Sequence, residues 1–168
     1  MTLYYDVIET SLGWVGLLAS DKGLRRTTLP QASPDECVAQ LGREMAQATL
    51  SPERFEGLKD KLTLYFEGRS ASFDDEPIDV DDASPFHRAA WDACRSIPMG
   101  ERRTYQWLAT QAGRPRAARA AGQSMARNRL PLIVPCHRVV ASDGGLGGFG
   151  KGASRLDLKQ RLLDMEAR

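Results

Sequence analysis

The sequence predicts an α/β protein of the α+β kind. We expect a small antiparallel sheet with helices in an N-terminal domain, and a mostly helical C-terminal domain with a helix-turn-helix. Alternating apolar and polar residues occur near the start of the chain, and helical periodicity follows over much of the remainder. The charge also changes sign between the two halves. With 168 residues, the chain has room for one domain or two small ones.

Three short runs near the N-terminus have the pattern of β-strands. Residues 2–9 alternate between the two faces of a strand, and residues 13–19 and 24–29 are further short runs bounded by turn-forming residues. Strands that follow one another this closely predict an antiparallel meander.

Two helices are expected after the meander. Ser33 and Pro34 form a cap and first-turn signal for a helix that runs to about Ala46. A similar signal at Ser51 precedes apolar residues at helical spacing, and Gly68 ends that run. The first domain is therefore expected to combine a sheet with two helices.

An acidic, proline-containing stretch at residues 74–84 separates the two halves of the chain. We place the domain boundary within it, so that the predicted domains are residues 1–78 and residues 79–168. Residues 1–83 contain no pattern that is typical of catalysis, and their aromatic residues at helical spacing predict a core. The function is therefore expected in the second domain.

The two halves carry opposite charge, although the net charge of the whole chain is only +1. Residues 1–83 contain 8 Lys and Arg against 16 Asp and Glu, a net charge of −8. Residues 84–168 contain 15 against 6, a net charge of +9. This asymmetry favours nucleic acid as the partner of the second half, with a merely solvated basic face as the alternative.

Several bulk properties bear on the cellular compartment. No apolar run approaches the ~18 residues of a membrane-spanning helix, and the N-terminus lacks the pattern of a signal peptide. The three cysteines, Cys37, Cys94 and Cys136, cannot all pair, which suits a reducing environment. We therefore expect a soluble, cytoplasmic protein.

Three helical segments fill most of the second half before its centre. Ser84 caps the first segment, which has an apolar face and extends to Ile97, and Thr104 caps a short segment that extends to Gln111, where Gly113 interrupts the pattern. Pro115 then opens a helix over residues 116–126. Two short helices joined by a glycine-containing turn are typical of a helix-turn-helix, whose second helix enters a groove of DNA.

The second helix of this pair is unusually rich in alanine and arginine. Small residues such as Ala120 would let its backbone approach DNA closely, while Arg114, Arg116 and Arg119 could meet phosphates or a groove floor. Few of its other side chains could read base edges in the major groove. We therefore expect binding that is dominated by the DNA backbone and only weakly specific for sequence.

A cysteine next to a histidine lies in an apolar run near the centre of the second half. Cys136 is a nucleophile only as the thiolate, and an imidazole such as that of His137 can lower its pKa or take its proton. A buried cysteine inside a strand is the plainer interpretation, because neighbours on a strand point to opposite faces. The string Pro135-Cys136-His137-Arg138-Val139 decides in favour of a reactive thiol.

This string resembles the active-site motif of the O6-alkylguanine-DNA alkyltransferases, also called methylated-DNA–protein-cysteine methyltransferases. The resemblance extends from about Pro85 to Glu166, which is half of the chain, through residues 100–105, residues 114–120 and a glycine-rich tail. The motifs occur in the family's order and, before the tail, at the family's spacing.

The resemblance implies DNA repair by stoichiometric transfer of an alkyl group from O6-alkylguanine in DNA to Cys136, which inactivates the protein. It implies that His137 is the base that deprotonates the thiol through a water, and that Glu166 orients this histidine. Asn128 matches the residue that ties the DNA-binding helices to the active-site strand, although Arg129 replaces the family's usual proline after it. Helical spacing also places Glu166 on an apolar face, where a carboxylate needs a partner.

Further residues are implied to hold the base once it has left the stack. Tyr105 matches the phenol that meets the flipped guanine, and the backbone carbonyls of Val139 and Cys136 match acceptors for the guanine amino group. Phe149 stands where the family often has tyrosine. Gly150 aligns with a backbone N–H that approaches O6, in a loop that is longer than the family's usual one.

The resemblance also implies the partner. Arg119 matches the arginine that fills the space left by the flipped nucleotide. The expected partner is double-stranded DNA that contains O6-alkylguanine, with no membrane, no cofactor and no metal, and the protein is expected to be a monomer in solution. Activity on O4-alkylthymine and cooperative assembly on DNA stay open.

Three other functions are alternatives at this stage. A non-catalytic binder of alkylated DNA would lack the cysteine that this chain has at position 136. A cysteine hydrolase that used Cys136, His137 and Glu166 would turn over many times and would not need the basic helix pair. A regulatory DNA-binding protein would be expected to show base-reading side chains.

Overall fold

The computed structural model describes residues 1–147 and 154–168 of the chain. Its mixture of small sheets and helices confirms the predicted α/β fold class. In this described part of the chain, no helix is both long and apolar enough to cross a membrane. The chain divides into two compact units, which are Met1–Val80 with Arg129–Ile133, and Asp81–Asn128 with Val134–Arg168.

The sheet of the first unit is mixed rather than purely antiparallel. Strands β1 (Leu3–Thr10), β2 (Gly13–Ser20) and β3 (Gly23–Thr27) form the predicted antiparallel meander. Strand β4 (Ala48–Leu50) pairs with β1 in parallel, giving the order β3-β2-β1-β4. The prediction of an antiparallel sheet is therefore wrong at this edge, because a three-residue strand is too short to show an alternating pattern.

Two helices complete the first unit. Helix α1 (Pro34–Leu41) packs on β2 and is capped by the hydroxyl of Ser33, as predicted. It ends at Gly42, whose φ of +88° favours glycine, and it does not reach the predicted end near Ala46. Helix α2 (Glu56–Phe66) contacts β1. The 3-10 turns of this unit are Arg43–Gln47 and Pro52–Phe55.

The second unit consists mainly of helices. Ser84 and Thr104 cap its first two helices through their hydroxyls, as predicted. The first helix packs against the next two, and its Trp91 donates Nε1–H to the Ser124 carbonyl at 2.8 Å. The elements are α3 (Pro85–Arg95), β5 (Arg103–Thr104), α4 (Tyr105–Gln111), α5 (Ala118–Ala126), β6 (Val139–Val140) and α6 (Ser154–Glu166).

Helix α5 begins at Ala118 rather than at Arg116, where it was predicted to start. A turn precedes it and is closed by a hydrogen bond from the Ala117 N–H to the Arg114 carbonyl at 2.9 Å. Of the three predicted DNA-binding arginines, only Arg119 therefore lies on the helix itself. The assignment of α4 and α5 as a helix-turn-helix stays a prediction.

Strands β5 and β6 pair in parallel and connect the start of α4 to the Cys-His motif. Arg103 lies opposite Val139, and Thr104 lies opposite Val140. Tyr105 follows directly as the first residue of α4. The pairing therefore determines where Tyr105 stands relative to the motif, although the two strands are far apart in sequence.

Five residues between α5 and the motif group with the first unit, while their neighbours on both sides group with the second. We call Arg129–Ile133 the return segment. Leu130, Leu132 and Ile133 are at most 3% exposed, and Leu132 adopts a positive φ of 78°. No sequence pattern in this segment predicts its place in the fold.

Candidate active site

Cys136 begins a 3-10 turn and does not lie in a strand. The turn spans Cys136–Arg138 and leads into β6. Because a 3-10 helix has three residues per turn, successive side chains project in directions about 120° apart. The side chains of Cys136, His137 and Arg138 therefore leave the backbone in different directions, although the two longer ones reach the same partner, Glu166.

Two side chains of this turn bind a single carboxylate, that of Glu166 at the end of α6. His137 Nε2 lies 2.6 Å from Glu166 Oε2. Arg138 donates Nε–H to Oε1 at 2.8 Å and Nη2–H to Oε2 at 3.0 Å. Arg138 Nη1 also donates to the Ile97 carbonyl at 2.8 Å. We call His137, Arg138 and Glu166 the Glu166 network, and all three residues are buried.

Burial and ion pairing act in opposite directions on Glu166. Burial raises its pKa, but hydrogen bonds and charges from His137 and Arg138 outweigh that effect and hold the pKa well below the usual range. Because the guanidinium of Arg138 is permanently charged, Glu166 stays ionised at neutral pH. The fork of Arg138 supplies two of the donors that a buried carboxylate needs.

His137 is neutral at neutral pH. Burial lowers the pKa of its imidazole, and Glu166 opposes this shift without reversing it. The ionised Glu166 can only accept a hydrogen bond, so Nε2 carries the proton and Nδ1 is the acceptor nitrogen. In this tautomer His137 can take up a proton at Nδ1, and Glu166 would stabilise the resulting cation.

The sulfur of Cys136 is a thiol in the resting protein. Burial raises its pKa, and a hydrogen bond with Asn128 and the charge of Lys159 lower it only in part. Asn128 Nδ2 also donates to the Val134 carbonyl at 2.8 Å, and the same carbonyl accepts the Cys136 N–H at 2.7 Å. The thiol is therefore held close to Asn128 and needs a base in order to react.

The other two cysteines are also buried thiols without a disulfide. Burial raises the pKa of Cys37 and, more strongly, that of Cys94. Among the described residues, no three His, Cys, Asp or Glu side chains are grouped so that they could hold a metal ion. Because the three cysteines are at most 7% exposed, their thiols are largely shielded from solvent in the folded protein.

A buried lysine contacts the motif, although it was not among the predicted site residues. Lys159 of α6 is 0% exposed, and its Nζ donates to the Val139 carbonyl at 2.8 Å and to the Leu146 carbonyl. Burial lowers the pKa of Lys159 to about 8. Its Nζ also lies 5.9 Å from the centroid of the Tyr105 ring. Lys159 precedes Glu166 by two helical turns, so the pattern that singled out Glu166 could have identified it.

Tyr105 is half-buried and packs against the backbone of Gly147. Gly147 has a φ of +72°, and a Cβ at this position would lie 2.7 Å from the Tyr105 hydroxyl oxygen. A larger residue at position 147 would therefore have to displace the ring. Phe149 and Gly150, which were predicted to line the same pocket, lie outside the described residues.

The predicted DNA-binding arginines are exposed. Arg114, Arg116 and Arg119 all reach solvent, and Ala120 is half-buried on α5. The guanidinium of Arg114 lies 5.0 Å from the centroid of the Phe86 ring, which is a cation–π distance. The charges of the three arginines are therefore accessible to a polyanion.

Six of the predicted site residues belong to one connected set in the second unit. Hydrogen bonds join these residues to one another or to Val134, Lys159 and Arg138, and Tyr105 joins the set because its ring lies near Lys159. The six are Cys136, His137, Glu166, Asn128, Val139 and Tyr105. The arginines and Ala120 belong to α5 and to the turn before it.

Comparison with protein-family models matches both parts of the chain. Residues 3–80 match the ribonuclease-like domain of 6-O-methylguanine DNA methyltransferase, and residues 85–168 match the DNA binding domain of 6-O-methylguanine DNA methyltransferase. The chain belongs to this family. The resemblance drawn from the residues around Cys136 is therefore confirmed.

Individual methyltransferases are similar over most of the chain. A methylated-DNA–protein-cysteine methyltransferase of Methanosarcina barkeri is 35% identical over 165 residues, which cover 98% of this chain and 97% of the relative. One from Mycolicibacterium paratuberculosis is 43% identical over 120 residues, or 71% of this chain and 70% of the relative. The crystal structure of Mycobacterium tuberculosis OGT in complex with DNA has a TM-score of 0.79 and 34% identity, and covers 98% of this chain and 92% of that one.

Proposed function

We propose that this protein repairs DNA by moving an alkyl group from O6-alkylguanine to its own Cys136, and that it is consumed in doing so. The observation that supports this best is a buried thiol beside a neutral, carboxylate-bound histidine in a chain of the methyltransferase family. The relatives are named for the same kind of transfer, from methylated DNA to a protein cysteine.

The transfer is a single displacement at carbon. The proton of the Cys136 thiol passes through a water to Nδ1 of His137, and the sulfur attacks the alkyl carbon. A C–S bond forms while the C–O6 bond breaks, and the electron pair of the broken bond stays on guanine. Guanine then takes up a proton, so the products are unmodified guanine and a thioether on the protein. The reaction as written requires no cofactor.

The Glu166 network provides the base and controls its charge. Burial keeps His137 neutral before the reaction, so it can accept the thiol proton. Glu166 offsets the positive charge that His137 then acquires. Arg138 keeps Glu166 ionised and, through its two hydrogen bonds, fixes the orientation of the carboxylate.

Tyr105 and Val139 are proposed to contact the guanine after it leaves the stack. The Val139 carbonyl already accepts a hydrogen bond from Lys159, but a carbonyl oxygen has two lone pairs, and the second can accept from the guanine amino group. Lys159 thereby holds this acceptor in place. The proposed roles of Phe149 as a pocket wall and of the Gly150 N–H near O6 rest on the family motif.

Double-stranded DNA that contains O6-alkylguanine is the proposed partner. The exposed Arg114 and Arg116 are suited to phosphate contacts, and Arg119 on α5 is proposed to fill the space left by the flipped nucleotide. The small Ala120 lets α5 approach the DNA backbone. Binding of this kind depends steeply on salt concentration and little on sequence.

Intact-mass analysis tests the proposal. After mixing with a duplex that carries one O6-methylguanine, the protein should gain the mass of one methylene group per molecule, even with substrate in large excess. Peptide mapping should place the adduct on Cys136, and Cys136→Ser should gain none while still binding DNA.

Each alternative gives a different result in that experiment. Repeated turnover without an adduct would indicate a hydrolase. DNA binding with neither turnover nor adduct would indicate a non-catalytic binder. A stoichiometric adduct on Cys37 or Cys94 would assign the acceptor to another thiol.

A further inference from the structure

We propose that Thr27, in the first unit, is a positioning residue for alkyl transfer at Cys136. This inference rests on the proposed function and extends it to a residue with no part in the motif. Thr27 acts by holding the return segment Arg129–Ile133, which groups with the first unit and precedes the motif in the chain.

Thr27 holds the return segment at two alternate residues. It is the last residue of β3 and is 7% exposed. Its N–H donates to the Arg129 carbonyl at 3.0 Å, and its Oγ1 donates to the Pro131 carbonyl at 2.7 Å. One of these bonds comes from the main chain and the other from the side chain. A substitution can therefore remove the second bond and leave the first in place.

Thr27 is itself part of a well-anchored strand end. It lies opposite Leu17 of β2, and Leu17 is 0% exposed. The next residue, Thr28, donates its N–H to the Gly16 carbonyl at 3.0 Å, and its Oγ1 accepts the Gly16 N–H at 2.9 Å. Thr27 therefore has little freedom to move together with the return segment.

The return segment contains a residue with a strained backbone, directly after the Pro131 carbonyl that Thr27 binds. Leu132 has a φ of +78°, which a residue with a Cβ adopts only where its surroundings hold it there. Leu132 and Ile133 are buried, and the Thr27 hydroxyl binds the carbonyl of Pro131 directly before them. Removing that hydroxyl would leave a carbonyl without this donor and would remove one constraint on the strained residue.

The two residues that flank the return segment, Asn128 and Val134, are joined beside the thiol. Asn128 Nδ2 donates to the Val134 carbonyl at 2.8 Å, and the Cys136 N–H donates to the same oxygen at 2.7 Å. A change in the path of the segment would therefore move Val134 and, with it, the start of the turn that carries Cys136. A misplacement of about 1 Å can cost about 100-fold in rate when atoms must be aligned for displacement.

Single-turnover kinetics with a duplex that carries one O6-methylguanine test this role. The maximal rate and the protein concentration at half-saturation are measured separately for Thr27→Val and Thr27→Ala, which lack the hydroxyl, and for Thr27→Ser, which keeps it. Thr10→Val is the matched control, because the Thr10 Oγ1 also donates to a backbone carbonyl in the first unit, that of Gly13 at 2.6 Å.

Loss of the hydroxyl should lower the maximal rate by about tenfold or more and should leave half-saturation nearly unchanged. Thr27→Ser and Thr10→Val should stay within about threefold of the wild type. The loss in Thr27→Val should be the same at neutral and alkaline pH, since Thr27 has no part in proton transfer. This pH independence separates it from the effect expected for His137→Ala.

Other outcomes would overturn the inference. Wild-type maximal rates in both hydroxyl-free variants, a loss of DNA affinity alone, or a loss as large in Thr27→Ser would each do so. If circular dichroism shows that neither hydroxyl-free variant folds, Thr27 is a determinant of folding and not a positioning residue. A wild-type protein that accepts no methyl group would refute the proposed function instead, so the two failures are distinguishable.

Discussion

Each unit contains an arginine that binds carboxylates. The two clusters of charged side chains differ in their exposure to solvent, and only in the second does a carboxylate also bind a histidine. In the first unit, Arg25 donates from Nη2 to Glu44 at 2.8 Å, and the Glu44 side chain is 33% exposed. In the second, Arg138 binds Glu166, which is 1% exposed and also binds His137. In the first cluster only Glu44 is partly open to solvent, whereas the second is closed and contains an imidazole.

This difference shows what gives a buried ion pair a chemical role. The second carboxylate of Arg25 is Asp79, so these ion pairs consist of an arginine and two carboxylates, without an imidazole. In the Glu166 network, one partner of the carboxylate is a histidine, whose second ring nitrogen can accept a proton. An ion pair alone is weak evidence of stability or function, but an ion pair that includes a histidine can accept a proton during a reaction.

The largest expected effect is that of His137→Ala on the rate of methyl transfer. Loss of a general base should slow single-turnover transfer about 10²- to 10⁴-fold at neutral pH. Raising the pH should restore part of the rate, because thiolate then forms without the base. His87→Ala is the control, since the His87 Nδ1 contacts a neutral group, the Ser124 hydroxyl, at 2.7 Å. A deficit in His137→Ala that does not change with pH would exclude its role as base.

Glu166→Ala and Glu44→Ala should differ in their effect on stability. Glu166→Ala leaves Arg138 buried and without its carboxylate, so it should lower the free energy of unfolding by about 3–5 kcal/mol. Glu44→Ala removes a partly exposed partner and should cost about 0–1 kcal/mol. Urea unfolding of both variants measures the contrast. Equal losses would mean that the closed cluster is no more dependent on its carboxylate than the open one.

Arg138→Lys and Arg25→Lys test the value of the guanidinium fork. Lysine keeps the charge but cannot make the two parallel hydrogen bonds, so Arg138→Lys in the buried cluster should lose about 1.5–3 kcal/mol of unfolding free energy, and Arg25→Lys, whose partner Glu44 is partly exposed, about 0–1 kcal/mol. Only Arg138→Lys should also shift the pH dependence of the transfer rate, because only that arginine holds the carboxylate that binds the base. A pH profile for Arg138→Lys that matches the wild type would separate Arg138 from the control of His137.

The smallest expected effect is a pH dependence of stability that originates from His137. Its pKa in the folded protein lies below the ordinary value of 6.5, so the unfolded chain binds this proton first as the pH falls. The free energy of unfolding should therefore decrease below pH 6.5, by at most about 1.4 kcal/mol per pH unit from this group. Urea midpoints are measured through this range for the wild type and His137→Ala, and the difference between them should depend on pH below 6.5 and become constant well above it.

Features that depend on neighbouring residues could be predicted from the sequence. The caps at Ser33, Ser84 and Thr104 each bind an N–H three residues further on, so the local sequence contains the whole interaction. The same holds for Glu166, because helical spacing alone places it on the buried face of α6. The family motif supplied the remaining candidate residues, and their contacts required the structure.

Features that depend on distant residues could not be predicted. Strand β4 is defined by its pairing with β1, and the return segment by its contacts with Thr27. Lys159 was missed for another reason. Lysine is normally exposed, so the apolar pattern of α6 was followed through its leucines, and only the carbonyls that accept from its Nζ explain the burial.

The burial of every thiol makes this protein a reporter of its own folding state. A general thiol reagent reaches Cys37 and Cys94, which are both 0% exposed, quickly only when the chain opens, so labelling of these two thiols counts unfolded molecules. Under the proposed function, an O6-alkylguanine with a fluorescent alkyl group would mark only molecules in which the turn at Cys136 and the end of α6 have come together. The two labels applied to one sample would therefore give complementary fractions, and their sum would reveal any folded but inactive population.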